Sequence, residues 1–159
     1  METLVQLKKY LKSDLIGLPV FKIAVVGDTA TQLLCTAIRG MGVERGYNID
    51  LFEAEYNQVE RQLLDPTSDL YLFDADFIVI FQSTHKLGEH HSMLSTEQQS
   101  SLADERISFL ASVCENPALA GKKIIYFNYP EIEDTVFGSY ANKVESSFTY
   151  QVRKLNYEL

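Results

Sequence analysis

The sequence predicts an α/β protein in which helices cover both faces of a parallel sheet, a three-layer α/β/α sandwich. Three observations carry that expectation. Short apolar runs of strand length, residues 21–26, 47–53, 76–81 and 122–128, alternate with segments of helical period. The third and fourth runs contain Phe77-Ile78-Val79-Ile80-Phe81 and Ile124-Ile125-Tyr126-Phe127, apolar throughout, as strands covered on both sides must be. Each run ends at a polar loop, and right-handed crossovers between parallel strands would gather those loops on one edge.

Residues 2–13 place Leu4, Leu7 and Leu11 at helical spacing, which predicts an opening amphipathic helix packed outside the sheet before the Gly17-Leu18-Pro19 break. Residues 1–20 therefore read as a lead-in and 21–159 as one α/β domain. The first strand hands over to a helix with Ala30, Leu33, Leu34, Ala37, Ile38 and Met41 on one face, ended by Gly40, Gly42 and Gly46. After the second strand, residues 57–64 suit a short helix closed at Asp65-Pro66, because proline disfavours helix at the residue before it. The polar stretch 82–94 holds all three histidines and reads as a solvated loop. Ser95 and Gln98 then have capping-box spacing and open the longest helix, with Ala103, Ile107, Leu110 and Cys114 buried and Asn116-Pro117 at its end. Beyond the fourth strand an irregular loop over 129–138 leads to a last helix with Ala141, Val144, Phe148, Val152 and Leu155 on one side.

A chain of 159 residues, 46% hydrophobic and 23% charged, is long enough to bury its own core as one domain. A net charge of −8 argues against nucleic acid and anionic membrane as partners, since both call for clustered Lys and Arg. No stretch is long and apolar enough to span a bilayer, and Met1-Glu2-Thr3-Leu4 lacks the order of a secretion signal, so a cytoplasmic location is expected. Cys35 and Cys114 fall at core-type positions of helical patterns, without the close spacing of a metal or redox motif, and read as reduced packing residues.

In open α/β sheets ligands meet the carboxyl ends of the strands, where backbone N–H groups and helix dipoles converge. The candidate ligand contacts are therefore Gly27, Asp28 and Thr29 after the first strand, and Tyr56 and Asn57 after the second. Gln82, Ser83 and His85 follow the third strand and Asn128 the fourth, against a small-molecule substrate. The same types also suit plain structure: Gly27 a tight turn, Asp28 or Thr29 a helix cap. His85, Glu89, His90 and His91 lack the fixed third ligand of a metal site, so no metal is expected, and His85 stands nearest a strand end. Glu131, Glu133 and Asp134 mix with Tyr129, Phe137 and Tyr140 in a loop that is either an ordered connection or a lid or docking surface.

Gly27-Asp28-Thr29 resembles the opening block of the SGNH, or GDSL, hydrolases, which reads Gly-Asp-Ser with serine as nucleophile. A wider string is more specific: Val25-Val26-Gly27-Asp28-Thr29-Ala30-Thr31-Gln32-Leu33-Leu34, then Phe52-Glu53-Ala54-Glu55-Tyr56-Asn57-Gln58, then Val136-Phe137-Gly138-Ser139-Tyr140-Ala141-Asn142-Lys143. Together these are similar to the N-terminal SGNH-like domain of FkbH-like proteins, in which a phosphatase domain of HAD subfamily IIIC follows. The resemblance runs from about Lys22 to the end of the chain. It implies a parent protein that dephosphorylates a phosphorylated three-carbon substrate and passes a glyceryl group to an acyl carrier protein. Mg is implied in the HAD domain and no cofactor in these residues.

By the same resemblance Thr29 takes the nucleophile position, while Tyr56, Asn57 and Gln82 stand where oxyanion donors would. Threonine in place of serine, a missing glycine after the second strand, and Gln82-Ser83-Thr84-His85 in place of Gly-x-Asn-Asp argue against ordinary esterase chemistry. The expected role is substrate binding or positioning, with Thr29, Asp28, Asn57, Gln82 and Asn128 lining the pocket. The alternatives are weak ester or acyl hydrolysis through Thr29, and a flavodoxin-like module for a phosphate ligand, for which no glycine-rich cradle is present. Asp74-Ala75-Asp76 matches the HAD nucleophile pattern superficially, but it precedes a strand instead of following one. The acids of 129–143 would repel a carrier protein's acidic helix. The SGNH pattern has a further strand after the last helix, so the chain is expected to be truncated, with an unpaired sheet edge inviting self-association.

Overall fold

Strand β1, Val20–Gly27, takes the centre of a four-stranded, all-parallel sheet because its residues tolerate burial on both sides: Ala24, Val25 and Val26 are inaccessible to solvent. Strands β2, Asn48–Glu53, and β3, Phe77–Phe81, pair with it on either side, Val25 lying opposite Glu53 and Val79. Strand β4, Lys123–Tyr126, pairs with β3 and gives the order β2-β1-β3-β4. The computed structural model describes residues 3–133 and 135–159. Glu2, at the expected start of the first helix, and Asp134, in the expected acidic loop, lie outside the described residues.

Two units divide the chain, one formed by residues up to Phe81 with Gly121–Tyr126, the other by Gln82–Ala120 with Phe127–Leu159. The first holds the sheet. Helix α1, Leu4–Tyr10, opens with a capping box in which Thr3 and Gln6 exchange side-chain and backbone bonds. Helix α2, Gln32–Glu44, sets Cys35 against Val25 and Val79, with Ile23, Leu34, Ile38 and Leu51 around them. Ala24, Val26, Ile78 and Ile80 point to the opposite side and are buried there too.

The glycines expected to stop α2 lie inside it. A Cβ on Gly40 would stand 2.6 Å from the Cβ of Leu7, and one on Gly42 would stand 2.3 Å from Ile49 Cγ1. Gly40 therefore lets α1 lie directly on α2, and Gly42 lets α2 close on β2. Leu33 and Met41, expected on the buried face, are exposed, and Ala30 precedes the helix.

Helix α3, Val59–Leu64, is followed by α4, Asp69–Phe73, which the sequence reading missed. Buried Gln62 joins them: its Oε1 accepts from Leu70 N at 3.1 Å, and its carbonyl accepts from the Ser68 hydroxyl at 2.8 Å. At the amino ends of the strands Lys22 N donates to Asp76 Oδ2, and Asp76 N donates to Lys22 O, both at 2.9 Å. Asp74, left-handed at φ 53°, accepts from Lys122 Nζ at 2.5 Å, a bond that holds its carboxyl below the usual carboxylate range. The Asp74-Ala75-Asp76 triplet is thus a brace at the end of the sheet opposite the strand-end loops. Strand β4 is shorter than expected and half-exposed, Ile125 included.

The second unit is helical. Residues 82–94, expected as a loop, form helix α5, Thr84–Met93, with Thr84, Leu87 and His91 buried at helical spacing. The Ser95–Gln98 capping box opens α6, Thr96–Ser100, but the helix breaks at Ser101 before α7, Leu102–Cys114. In α7 the buried face is Leu102, Ala103, Arg106, Leu110 and Val113, which leaves Cys114 exposed. Helix α8, Phe148–Glu158, starts later than expected, capped by Ser147; Ala141 lies in a preceding 3-10 turn, Gly138–Lys143, and Val144 ends that turn.

The break at Ser101 has a partner. Gln151 of α8, 1% exposed, accepts from Ala103 N at 2.8 Å and donates to Ser100 O at 2.9 Å and to Glu145 O at 2.7 Å. One amide thereby supplies two backbone groups that helix ends leave without intrahelical partners and a carbonyl of the turn before α8. Among the described residues no helix is long and apolar enough to cross a membrane.

Two substitutions test these contacts by urea unfolding. Gly40→Ala forces α1 away from α2 and is expected to cost about 1–3 kcal/mol. Gln151→Leu removes the partner of one buried and two part-buried backbone groups and is expected to cost about 2–3 kcal/mol.

Candidate functional site

The carboxyl ends of β1 and β2 finish on a small polar cluster in the first unit. Gly27 is the last residue of β1, and a Cβ there would stand 2.8 Å from Thr31 Cγ2 and 2.9 Å from the Phe81 carbonyl oxygen. No larger residue fits without moving backbone. Asp28 follows, 9% exposed, and Thr29 is half-buried. Neither caps α2, whose N-cap is Thr31. The Thr31 hydroxyl does not cap either; it donates to Glu53 Oε1 at 2.6 Å, at the end of β2.

Cys35 lies one turn into α2 beside this pair. Burial, reinforced by the Glu53 carboxylate, pushes its thiol up to about 11, with the Thr31 hydrogen bond acting in the opposite direction. Cys35 is therefore a protonated packing thiol at neutral pH, as the sequence led us to expect. Sequence reasoning missed Thr31 and Glu53. The available signal was an acid closing a strand next to one that ends in glycine, but the pairing register that brings them together is not written in either segment.

Tyr56 and Asn57 form the exposed turn after β2, and Asn57 adopts φ 59°, a left-handed conformation that asparagine tolerates. The first unit thus places Gly27, Asp28 and Thr29 at the end of one strand and Tyr56 and Asn57 just past the end of its parallel neighbour.

In the second unit Gln82 serves as an anchor. Its Oε1 accepts from Arg106 at 3.2 Å and from the Tyr129 hydroxyl at 3.2 Å. Arg106 is buried and lies 4.8 Å over the Phe109 ring. Tyr129 is buried as well, its backbone N–H donating to Asn156 Oδ1 and its carbonyl accepting from Asn156 Nδ2, each at 2.8 Å. Asn128 is exposed immediately before it. Ser83 is the N-cap of α5 without a side-chain capping bond, and His85 is exposed on the first turn of that helix. His91 is buried and donates from Nε2 to the Ser146 carbonyl at 3.0 Å. Among the described residues no group of three or more His, Cys, Asp or Glu side chains is arranged to hold a metal ion.

The two cysteines give a direct check. Near neutral pH a thiol-exchange reagent is expected to titrate exposed Cys114 in the native chain and to reach Cys35 only after denaturation. Fast reaction of both in the native chain would contradict the burial of Cys35 beside the Thr31–Glu53 pair.

Three comparisons with known proteins bear on this arrangement. The family described as FkbH, N-terminal domain matches residues 22–159. A comparison with curated proteins gives no match. Among solved structures the chain is similar to the crystal structure of the N-terminal part of the protein BF1531 from Bacteroides fragilis, containing a phosphatase domain and complexed with Mg. The identity is 57% and the TM-score 0.95, over 99% of this chain and 41% of that one. This chain therefore spans less than half the length of its crystallised relative. The family match takes in strands β2 to β4, all but the first two residues of β1 and every candidate strand-end residue, and on that ground the chain belongs to the FkbH N-terminal domain family.

Proposed function

We propose that this chain binds and positions substrate as the SGNH-like N-terminal domain of an FkbH-like protein with a HAD-type phosphatase of subfamily IIIC. The parent protein would dephosphorylate a phosphorylated three-carbon substrate and pass a glyceryl group to an acyl carrier protein. The observation that carries this reading is the 57% identity, over 99% of the chain, to a protein part that contains a phosphatase domain. Mg then belongs to the phosphatase domain, and the protein works in the cytoplasm. The fold on this reading is the three-layer SGNH-like sandwich.

Substrate would meet Gly27, Asp28, Thr29, Tyr56 and Asn57 in the first unit, where the strand ends are polar and Asp28 is already desolvated. In the second unit Ser83, His85 and Asn128 are the candidate groups, and Gln82, next to Ser83, is held by Arg106 and Tyr129. Outer strand β4, with Ile125 42% exposed, supports self-association along that edge.

Ester hydrolysis through Thr29 is the competing reading. It draws on one observation: Thr29 is partly accessible at the strand end and is not the helix cap. Against it stand threonine in place of serine and the absence of a glycine after the second strand.

The two readings separate in one experiment on wild type, Thr29→Ala and Asn57→Ala, using phosphoglycerate binding by calorimetry and turnover of an activated acetate ester. The positioning role predicts binding that Asn57→Ala weakens about fivefold, little change for Thr29→Ala, and no ester turnover above buffer. Turnover that vanishes in Thr29→Ala would replace positioning by hydrolysis. Absence of phosphoglycerate binding would overturn the substrate assignment.

A further inference from the structure

A pocket of about 600 Å³ lies along α5 in the second unit, within the range of small-molecule sites. Phe148, Ile132, Val136 and Phe137 supply apolar walls, and Glu89 and Glu133 bring carboxylates to its lining. His85 and Glu89, four residues apart, share the face of α5 that borders it.

One side of the pocket is tied by hydrogen bonds. His91 Nε2 donates to Ser146 O at 3.0 Å, and Gln99 Nε2 donates to His91 O at 3.1 Å, so α5, α6 and the approach to α8 are tied together around the space. The His91 ring also packs 5.4 Å from the Phe148 ring.

Gly88 is informative. A glycine inside a helix costs about 1 kcal/mol relative to alanine, yet here it borders the pocket. A Cβ would stand 3.4 Å from the Phe148 ring and 3.6 Å from Ile132 Cδ1. Larger side chains at this position would project into the same space. The glycine keeps the wall open.

Charge then selects among ligands. An anion would face Glu89 and Glu133 on a chain of net charge −8. Lys86 meets Glu89 at 3.2 Å, but both side chains are largely exposed, so the pair is a weak competitor for that carboxylate. A protonated nitrogen gains both the carboxylates and the aromatic faces, while an apolar body gains burial on Phe148.

We propose that this pocket binds an organic amine, with its hydrocarbon or aromatic body against Phe148 and its ammonium group at Glu89 and Glu133. The site shares His85 with the residues named for the substrate-positioning role and uses none of the first unit's strand-end groups.

The test is a titration of the isotope-labelled chain, followed by amide NMR shifts, with phenethylamine, phenethyl alcohol and hydrocinnamate as matched probes. The amine is expected to give saturable shifts along α5 and around Phe148, with the alcohol about tenfold weaker and the carboxylate inert. Glu89→Gln combined with Glu133→Gln should weaken the amine about tenfold without disturbing the rest of the spectrum, and Gly88→Leu should abolish its binding. The double glutamine variant changes only exposed side chains, so the proposal remains testable if Gly88→Leu fails to fold. Equal binding of alcohol and amine, binding of the carboxylate, or no saturable shift with any probe overturns it.

Discussion

A peptide group that leaves water must find another partner, and that requirement organises both units of this chain. In the first, β1 pairs with β2 and β3, and β3 with β1 and β4, so the two inner strands have their ladders filled on both sides. In the second, no sheet does this work. The ends of α6 and α7 and the turn before α8 expose carbonyls and an amide to the interior, and the side chain of Gln151 satisfies them. A glutamine is long enough and has both donor and acceptor, which no aliphatic replacement offers.

This difference decides what could be read from the sequence. All four strands were legible because continuous apolar runs have few other uses at that length. Helix α5 was not, since its inward face is Thr84, Leu87 and His91, and one aliphatic residue among three gives no amphipathic signal. His91 is a core residue by virtue of a carbonyl presented by a distant loop, at Ser146, which no local window contains. Gly40 and Gly42 misled for a related reason. Glycine as a helix stop and glycine as a site of close helix packing look alike until the neighbour, Leu7 or Ile49, is in place.

The candidate site shows the same split between local and distant information. Gly27-Asp28-Thr29 was conspicuous because a strand stops there. The Thr31–Glu53 bond depends on the parallel register that sets Val25 opposite Glu53, and the use of Gln82 as an acceptor depends on Arg106 and Tyr129, dozens of residues away in sequence. Polar residues at the strand ends also have a structural part. Part of what they do is to fix the edge itself: Thr31 restrains α2 against β2, and Gln82 restrains its loop against α7. The candidates left nearest solvent are Tyr56, Asn57, His85 and Asn128, with Thr29 and Ser83 half-buried.

Asp74-Ala75-Asp76 has a practical consequence. In a protein related to phosphatase-containing chains, an Asp-x-Asp triplet is the first target for a mutation meant to silence catalysis. Here both carboxylates are fastened to lysine residues or their backbone at the amino end of the sheet. An asparagine variant at either position would loosen the junctions that hold β1, β3 and β4 in register, and the resulting loss of function could pass for the loss of a nucleophile. Distinguishing a loosened scaffold from a disabled reaction centre requires the variant's unfolding curve beside its activity.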